Sequence, residues 1–305
     1  MRVLFMGTPD FASASLERLY ADGFEICAVF TQPDKQRGRG MQLSCSPVKE
    51  FAVQKGIPVY QPESLRREEA VQLVQNLNPD VIAVVAYGKI IPDEIIHASK
   101  YGAINLHGSL LPKYRGAAPI QWAVLNGDRI TGVCTFFINS RMDAGDLIYS
   151  LETEIGETET SGELFERLKT IGADLLSRTL KDVECGTAPR TPQNEADATY
   201  VTRLDKSLSP IDWNRTPREV LKWIYGLQPW PVATTMLLEK EIRIFQAEYT
   251  DRMTDLPPGS VVAAEEQGIV FACRDGACLT VTELQQPGKR RMSAAEFLRG
   301  HPLQS

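Results

Sequence analysis

Gly102-Ala-Ile-Asn-Leu106 is a short apolar run that ends among polar residues, and runs of this kind decide how the first part of the chain folds. Three similar runs precede it, namely Val3-Leu-Phe-Met6, Ile26-Cys-Ala-Val-Phe30 and Val81-Ile-Ala-Val-Val-Ala86. Helix-like segments separate them. Such alternation builds a parallel sheet that helices cover on both faces. The sequence therefore predicts an α/β fold in this part.

The turn after the first run, Gly7-Thr-Pro-Asp-Phe-Ala12, lacks the Gly-x-Gly-x-x-Gly spacing. That spacing is what lets a helix N-terminus approach a pyrophosphate. We therefore expect a sheet of Rossmann-like winding that binds no dinucleotide. Ligands of such sheets gather beyond the carboxyl ends of the strands, so the polar residues there are the candidate site.

The stretch Asn105-Leu-His-Gly-Ser-Leu-Leu-Pro112 places an amide and an imidazole two residues apart. Because side chains alternate along a strand, Asn105 and His107 share one face. Acyl transfer needs such a pair, a base for the attacking group and a donor for the oxyanion. Taken alone, the two residues fit equally well a strand end whose Asn caps a turn and whose His is half-buried.

A second polar cluster, Arg141-Met-Asp-Ala-Gly-Asp-Leu-Ile148, follows the strand-like run Val133-Cys-Thr-Phe-Phe-Ile138. Asp143, ahead of a flexible Ala-Gly step, is suited to reach back and orient His107. An amide, an imidazole and a carboxylate would then converge from two strand ends. Asp146 competes for that role, and Asp143 also fits an ordinary turn aspartate.

The second part of the chain follows a stretch that is poor in apolar residues and rich in Gly, Pro, Thr and Asn. We interpret this stretch as a linker. The predicted domains are residues 1–188, a linker at 189–205 and residues 206–305. Four or five strand-like runs and a hairpin signature around Asp275-Gly276 predict a small OB-like β-barrel for the last of these.

The sequence favours a cytoplasmic protein that holds no metal. The six cysteines lack Cys-x-x-Cys spacing and only three histidines accompany them, so neither a zinc site nor a disulfide framework is expected. No run of about 18 apolar residues predicts a membrane span. The chain starts directly into a strand-like run rather than a signal peptide.

The formal net charge of -6 at first argues against a nucleic-acid partner. Residues 206–305 are balanced, with 12 basic and 12 acidic side chains, so the acidic excess lies in the first 205 residues. Within that part the stretch 33–49 is basic, since Lys35, Arg37, Arg39 and Lys49 face a single acidic residue. Charges are screened within about 8 Å at physiological salt, so a local basic loop can still bind phosphates.

Lys289-Arg290-Arg291 is a second basic run. It is a candidate RNA contact on the predicted barrel, and a solvated charge run on a loop is an equally good interpretation.

The chain resembles the folate-dependent formyltransferases at motifs spread over nearly its whole length. The N-x-H-x-S-L-L-P and D-x-G elements are shared by the wider family, whereas the opening G-T-P-D-F-A and the G-R-G loop resemble the members that act on transfer RNA. The matching motifs are Met6–Ala12, Phe30–Asp34, Gly38–Gly40, Ser46–Lys49, Ala86–Gly88, Asn105–Pro112, Arg115–Gln121 and Asp143–Asp146.

The resemblance implies that Asn105, His107 and Asp143 are catalytic. It also implies that Ser109, Leu110, Leu111 and Pro112 line the tetrahydrofolate site. The expected reaction moves the formyl group from 10-formyltetrahydrofolate to the α-amine of methionine on initiator tRNA. The expected tRNA contacts are Lys35, Arg37 and Arg39. The protein is expected to be a monomer.

Two other functions stay open. A formyltransferase acting on a nucleotide sugar or a small amine would share the three catalytic residues but would not need the basic loop. A non-catalytic RNA-binding protein would use the loop and the barrel and leave the convergence of Asn, His and Asp without a purpose.

Overall fold

The computed structural model describes residues 1–37 and 42–301, which form two compact units. The first unit comprises the described residues of 1–117 with 131–153 and 165–201, and the second comprises 118–130, 154–164 and the described residues from Thr202 onward. Residues 189–201 thus belong to the first unit. The boundaries drawn from the sequence at 188 and 205 stay predictions.

The strands up to residue 201 are β1 Arg2–Gly7, β2 Glu25–Phe30, β3 Lys35–Arg37, β4 Gln42–Ser44, β5 Val59–Tyr60, β6 Val81–Val85, β7 Ala103–His107, β8 Arg115–Gly116, β9 Ile130–Phe137, β10 Leu147–Glu154 and β11 Tyr200–Val201. The helices over the same residues are α1 Asp10–Ala21, α2 Pro47–Gln54, α3 Glu68–Leu77, α4 Asp93–Ile96, α5 Pro119–Leu125 and α6 Ser161–Cys185.

A seven-stranded sheet organises the first unit, in the order β10-β9-β7-β6-β1-β2-β5. The five strands from β7 to β5 run parallel. Every residue of β6 is buried, as the continuous apolar run predicted for a strand covered on both faces. On one face Leu4, Met6, Ile82 and Val84 pack with Phe30 in a buried cluster.

Local sequence explains two helix starts. Ser46 accepts a hydrogen bond from the Lys49 amide at 3.1 Å, and Pro47 opens the helix that follows. Thr160 and Glu163 form a capping box, since each side chain accepts from the other residue's backbone N–H. The backbone N–H and the hydroxyl of Thr160 both donate to the Glu163 carboxylate, which lowers the pKa of Glu163.

The second unit is built on an antiparallel sheet. Its strands are β12 Ala233–Leu237, β13 Lys240–Met253, β14 Val261–Glu265, β15 Gly268–Ala272, β16 Ala277–Gln285 and β17 Arg291–Ser293, and its later helices are α7 Pro217–Gly226 and α8 Ala294–Gly300. The order is β12-β13-β16-β15-β14, with β17 paired to β16.

Strands β15 and β16 form the hairpin expected at Asp275-Gly276, and both turn residues have positive φ, 60° and 73°. The predicted fold class is confirmed: a Rossmann-like α/β unit is followed by a small OB-like β unit. No helix in the described part of the chain has both the length and the apolar character needed to cross a membrane.

Candidate active site

Asn105 and His107 lie on β7, where the strand meets the carboxyl edge of the parallel sheet. Asn105 is level with Val84 of β6, and His107 is level with Cys134 of β9. His107 is 7% exposed. The Asn105 Oδ1 atom is buried and has no hydrogen-bond partner in the described residues, so the protein itself does not use this amide oxygen.

One hydrogen bond fixes the His107 ring. Its Nε2 donates to the Tyr114 carbonyl oxygen at 2.9 Å. Because a carbonyl can only accept, the proton of the neutral ring resides on Nε2, and Nδ1 carries the lone pair. The basic nitrogen is therefore Nδ1.

Asp143 faces that basic nitrogen. Its Oδ2 lies 4.0 Å from His107 Nδ1 and accepts a hydrogen bond from the Gly116 amide at 2.8 Å. A distance of 4.0 Å is too long for a hydrogen bond, so the carboxylate lies beside the ring without bonding to it. Asp146 has no carboxylate oxygen within 4.0 Å of the ring nitrogens of His107, and its carbonyl oxygen accepts from Phe137 N.

The sequence predicts that Asp143 follows the carboxyl end of a strand at the sheet edge where Asn105 and His107 lie. That prediction is wrong, because β9 runs antiparallel to β7 and Phe137 at its end lies opposite Ile104. The chain between residues 138 and 146 folds back instead. Asp143 adopts a left-handed φ of 50° in this loop, which an aspartate tolerates better than most residues.

The predicted folate segment is a tight turn. Ser109 is fully buried and donates through Oγ to the Lys113 carbonyl at 2.7 Å. Leu111 is buried against Cys134 and Phe136. Leu110 and Pro112 keep part of their surface exposed. The role of this segment in binding folate stays a prediction, and its two partly exposed residues are the ones with surface to offer.

Cys134 lies next to His107 in the sheet, and its thiol is buried. Burial raises the pKa of its thiol to about 12, with Asp143 adding to the shift. The thiol is therefore protonated at neutral pH, and the thiolate is the reactive form.

The basic stretch 33–49 begins with a short hairpin. The backbones of β3 and β4 pair, with Lys35 opposite Ser44 and Arg37 opposite Gln42. Arg39 lies outside the described residues. Lys49 is engaged by the carboxylate of Asp34, its Nζ lying 2.5 Å from Oδ2, which lowers the pKa of that aspartate.

The second basic run also has acidic partners. Arg290 pairs with Glu296 at 3.2 Å and Arg291 with Glu283 at 2.5 Å. These ion pairs reduce the positive charge that the run presents to an RNA phosphate.

Sequence reasoning missed Arg115 and Gln193 as individual residues of the site. Arg115 is fully buried, and Gln193 donates to the Asp143 carbonyl oxygen at 2.9 Å. Arg115 stands inside a motif that resembles the family, which was a signal. A lone glutamine in a breaker-rich stretch gave none.

A cavity of about 510 Å³ opens at the other end of β7, lined by Gly102, Ala103, Phe137 and Arg190 among others. It lies by the first residue of β7, whereas His107 is the last, so it is separate from the site. In the described residues, no group of three or more His, Cys, Asp or Glu side chains is placed to hold a metal ion.

Family models match both parts of the chain, the model described as formyl transferase at residues 1–180 and the formyl transferase C-terminal domain at 203–302. The chain belongs to the formyl transferase family. It is therefore a formyltransferase.

Similar formyltransferases match over their full lengths. The methionyl-tRNA formyltransferase of Caldanaerobacter subterraneus subsp. tengcongensis is 45% identical over 99% of this chain and 98% of its own. The methionyl-tRNA formyltransferase of Clostridioides difficile is 41% identical over 100% of this chain and 98% of its own.

Solved structures share the fold at lower identity. An N-formyltransferase from Helicobacter canadensis, in complex with folinic acid and dTDP-3-aminofucose, has a TM-score of 0.67 at 18% identity and covers 92% of this chain and 98% of its own. HypX from Aquifex aeolicus, in complex with tetrahydrofolic acid, has a TM-score of 0.60 at 21% identity and covers 98% of this chain and 47% of its own.

Proposed function

We propose that this formyltransferase moves the formyl group of 10-formyltetrahydrofolate to the α-amine of methionine esterified to initiator tRNA, which yields N-formylmethionyl-tRNA for translation initiation in the cytoplasm. The whole-length similarity to methionyl-tRNA formyltransferases supports this acceptor. The placement of Asn105, His107 and Asp143 supports the transfer chemistry.

In the first step the free amine attacks the formyl carbon and its proton passes to His107 Nδ1, directly or through a water. A bond forms between the α-nitrogen and the formyl carbon, and the carbonyl π electrons move onto oxygen. The resulting imidazolium lies beside the Asp143 carboxylate, which stabilises it.

In the second step the tetrahedral intermediate collapses. The bond between the formyl carbon and N10 of the folate breaks, and N10 takes up the proton that His107 holds. The Asn105 amide N–H₂ donates to the oxyanion while it exists, which is the usual source of the largest rate gain in acyl transfer. The tetrahydrofolate leaves as a neutral amine, so atoms and charges balance.

The strongest competing acceptor is an amino sugar on a nucleotide, because a structural neighbour carries dTDP-3-aminofucose. Its 18% identity supports the shared fold alone. A methionyl-tRNA acceptor is favoured by the far higher identity of the relatives that carry that name.

The deciding experiment is an acceptor competition. Formyl transfer from 10-formyltetrahydrofolate would be measured with charged initiator tRNA, free methionine and a dTDP-linked amino sugar, with uncharged tRNA as the blank. We expect charged initiator tRNA to be formylated fastest. Faster transfer to the amino sugar would show that methionyl-tRNA is not the acceptor. Binding of tRNA without transfer to any amine would overturn the proposed reaction and favour an RNA-binding role.

A further inference from the structure

Among the described residues, Arg115 is the largest fully buried side chain, and it lies next to the site. A buried guanidinium is costly unless its donors are all satisfied. Its N–H groups donate to Gln193 Oε1 twice, at 2.8 and 3.2 Å, to both carboxylate oxygens of Glu195, at 3.0 and 3.1 Å, and to the Tyr200 hydroxyl at 3.0 Å. All five donors of an arginine are thereby used.

Gln193 links the buried guanidinium to the loop of residues 138–146, which carries Asp143 and is called the catalytic loop below. Since its Oε1 faces the guanidinium, its Nε2 must point the other way, and it donates to the carbonyl oxygens of Asp143 and Gly145 at 2.9 and 2.8 Å. The four hydrogen bonds of one amide thus join a buried cation to the backbone that carries Asp143.

The backbone on either side of Arg115 holds the catalytic side chains themselves. The Tyr114 carbonyl accepts from His107, and the Gly116 amide donates to Asp143. β11 and the residue before it hold this segment: the Arg115 amide donates to the Thr199 carbonyl at 2.8 Å, and Gly116 pairs with Val201. One three-residue segment therefore sets the separation of the imidazole and the carboxylate.

The loop of residues 138–146 needs the hydrogen bonds from Gln193 because its backbone is strained. Asp143 has a left-handed φ, and a Cβ on Gly145 would lie 1.6 Å from the Phe137 carbonyl oxygen. Strained backbone persists only where its surroundings hold it in place.

We propose that Arg115 and Gln193 are positioning residues that hold Asp143 at its working distance from His107. The inference rests on the proposed function for its reaction and on the described contacts for its geometry. Neither residue touches the reacting atoms.

The test exchanges one amide for a carboxylate. Gln193→Glu keeps an acceptor for Arg115 but turns the two donors that face Asp143 and Gly145 into a carboxylate oxygen that repels their carbonyls. A displacement of about 1 Å in a catalytic group lowers the rate by up to about 100-fold. We expect kcat to fall by this order, with KM for 10-formyltetrahydrofolate within about twofold of the parent.

Gln228→Glu is the matched control. The Gln228 Nε2 also donates to two backbone carbonyls, those of Ile224 and Phe245 at 3.1 and 2.8 Å, and it does so in the second unit. A purely structural role predicts that both variants lose thermal stability and keep the kcat of the folded enzyme. Loss of kcat in Gln193→Glu alone supports the proposal, and equal kcat in the two variants overturns it.

A second measurement needs no substrate. The chain has three histidines, so the ring nitrogens of His107 can be assigned by nitrogen-15 NMR. Gln193→Glu should shift the His107 ring signals and Gln228→Glu should leave them in place; unchanged signals in both variants would overturn the proposal. If methionyl-tRNA proves to be the wrong acceptor, this result still decides the positioning role.

Discussion

At the scale of single residues, Asn105 is the side chain whose removal is most informative. Its buried Oδ1 makes no hydrogen bond in the described structure, so truncation removes no hydrogen bond at that atom. We expect Asn105→Ala to lose about 2.7 to 4 kcal/mol of transition-state stabilisation, the range for one oxyanion donor. The ratio of kcat/KM values measures this loss, with a melting curve to show that the variant is folded. Parent-like activity would remove Asn105 from the mechanism.

The two aspartates of the D-A-G-D cluster form a natural pair of variants. Asp143→Asn keeps an oxygen that accepts from Gly116 but removes the charge beside His107. We expect turnover to fall by about 10²- to 10⁴-fold, the share of acid–base catalysis, with folate binding unchanged. Asp146→Asn is the control. A larger loss in Asp146→Asn than in Asp143→Asn would contradict the assignment.

At the scale of elements, the end of α1 is tied to α6 by a carboxylate. Asp22 accepts from Lys181 and Ser177 and pairs with Arg18, and these contacts hold its pKa well below the ordinary value of 3.8. A depressed pKa in the folded state contributes stability that is complete above pH 3.8 and is lost as the pH falls toward the folded pKa.

We therefore expect Asp22→Asn to lower the free energy of unfolding at pH 7, and the difference from the parent to shrink below about pH 4. Urea unfolding at several pH values measures it. Asp174→Asn is the control, since Asp174 pairs with Arg18 at an exposed position where ion pairs contribute little. A difference that does not change with pH would mean that the charge of Asp22 is not the cause.

Arg37, the last residue of β3, and Arg39, which lies outside the described residues, are two of the proposed tRNA contacts. Replacing Arg37 and Arg39 with alanine should weaken tRNA binding and reduce the slope of log K against log salt by close to one unit for each phosphate that the variant no longer neutralises. Alanines at Arg290 and Arg291 are the charge-matched control, because those arginines have acidic partners. Identical slopes for the parent and the Arg37/Arg39 variant would show that these arginines do not touch the RNA backbone.

Elements with a local signal were predictable from the sequence. The cap at Ser46, the capping box at Thr160 and the Asp275-Gly276 hairpin depend on residues within a few positions of each other, and all three are present. The face shared by Asn105 and His107 follows from strand alternation alone. The direction of β9 did not, because an apolar run reads the same for parallel and antiparallel pairing.

At the scale of the whole molecule, the part that escaped prediction depends on contacts far apart in the chain. Arg115 and Gln193 are 78 residues apart, and Arg115 and Glu195 are 80 apart. Composition identified the stretch around Gln193 as a linker, since polar and breaker residues are typical of one. The same polar residues satisfy a buried cation, and no pattern within a single sequence distinguishes these two uses.

The hydrogen bonds made by residues 191–201 determine where a chimera of this protein and a relative can be joined. Chain that merely connects two domains tolerates changes of length. Here a residue inserted between Thr191, which pairs with Leu147, and Gln193 would shift Gln193 away from the Asp143 carbonyl, and one inserted between Glu195 and Tyr200 would shift the register of β11 against β8. A chimera that takes its C-terminal domain from a relative should therefore be joined after Val201, close to where the C-terminal family model begins at residue 203. Crossovers placed earlier would exchange Gln193 and Glu195, the partners of Arg115, along with the domain.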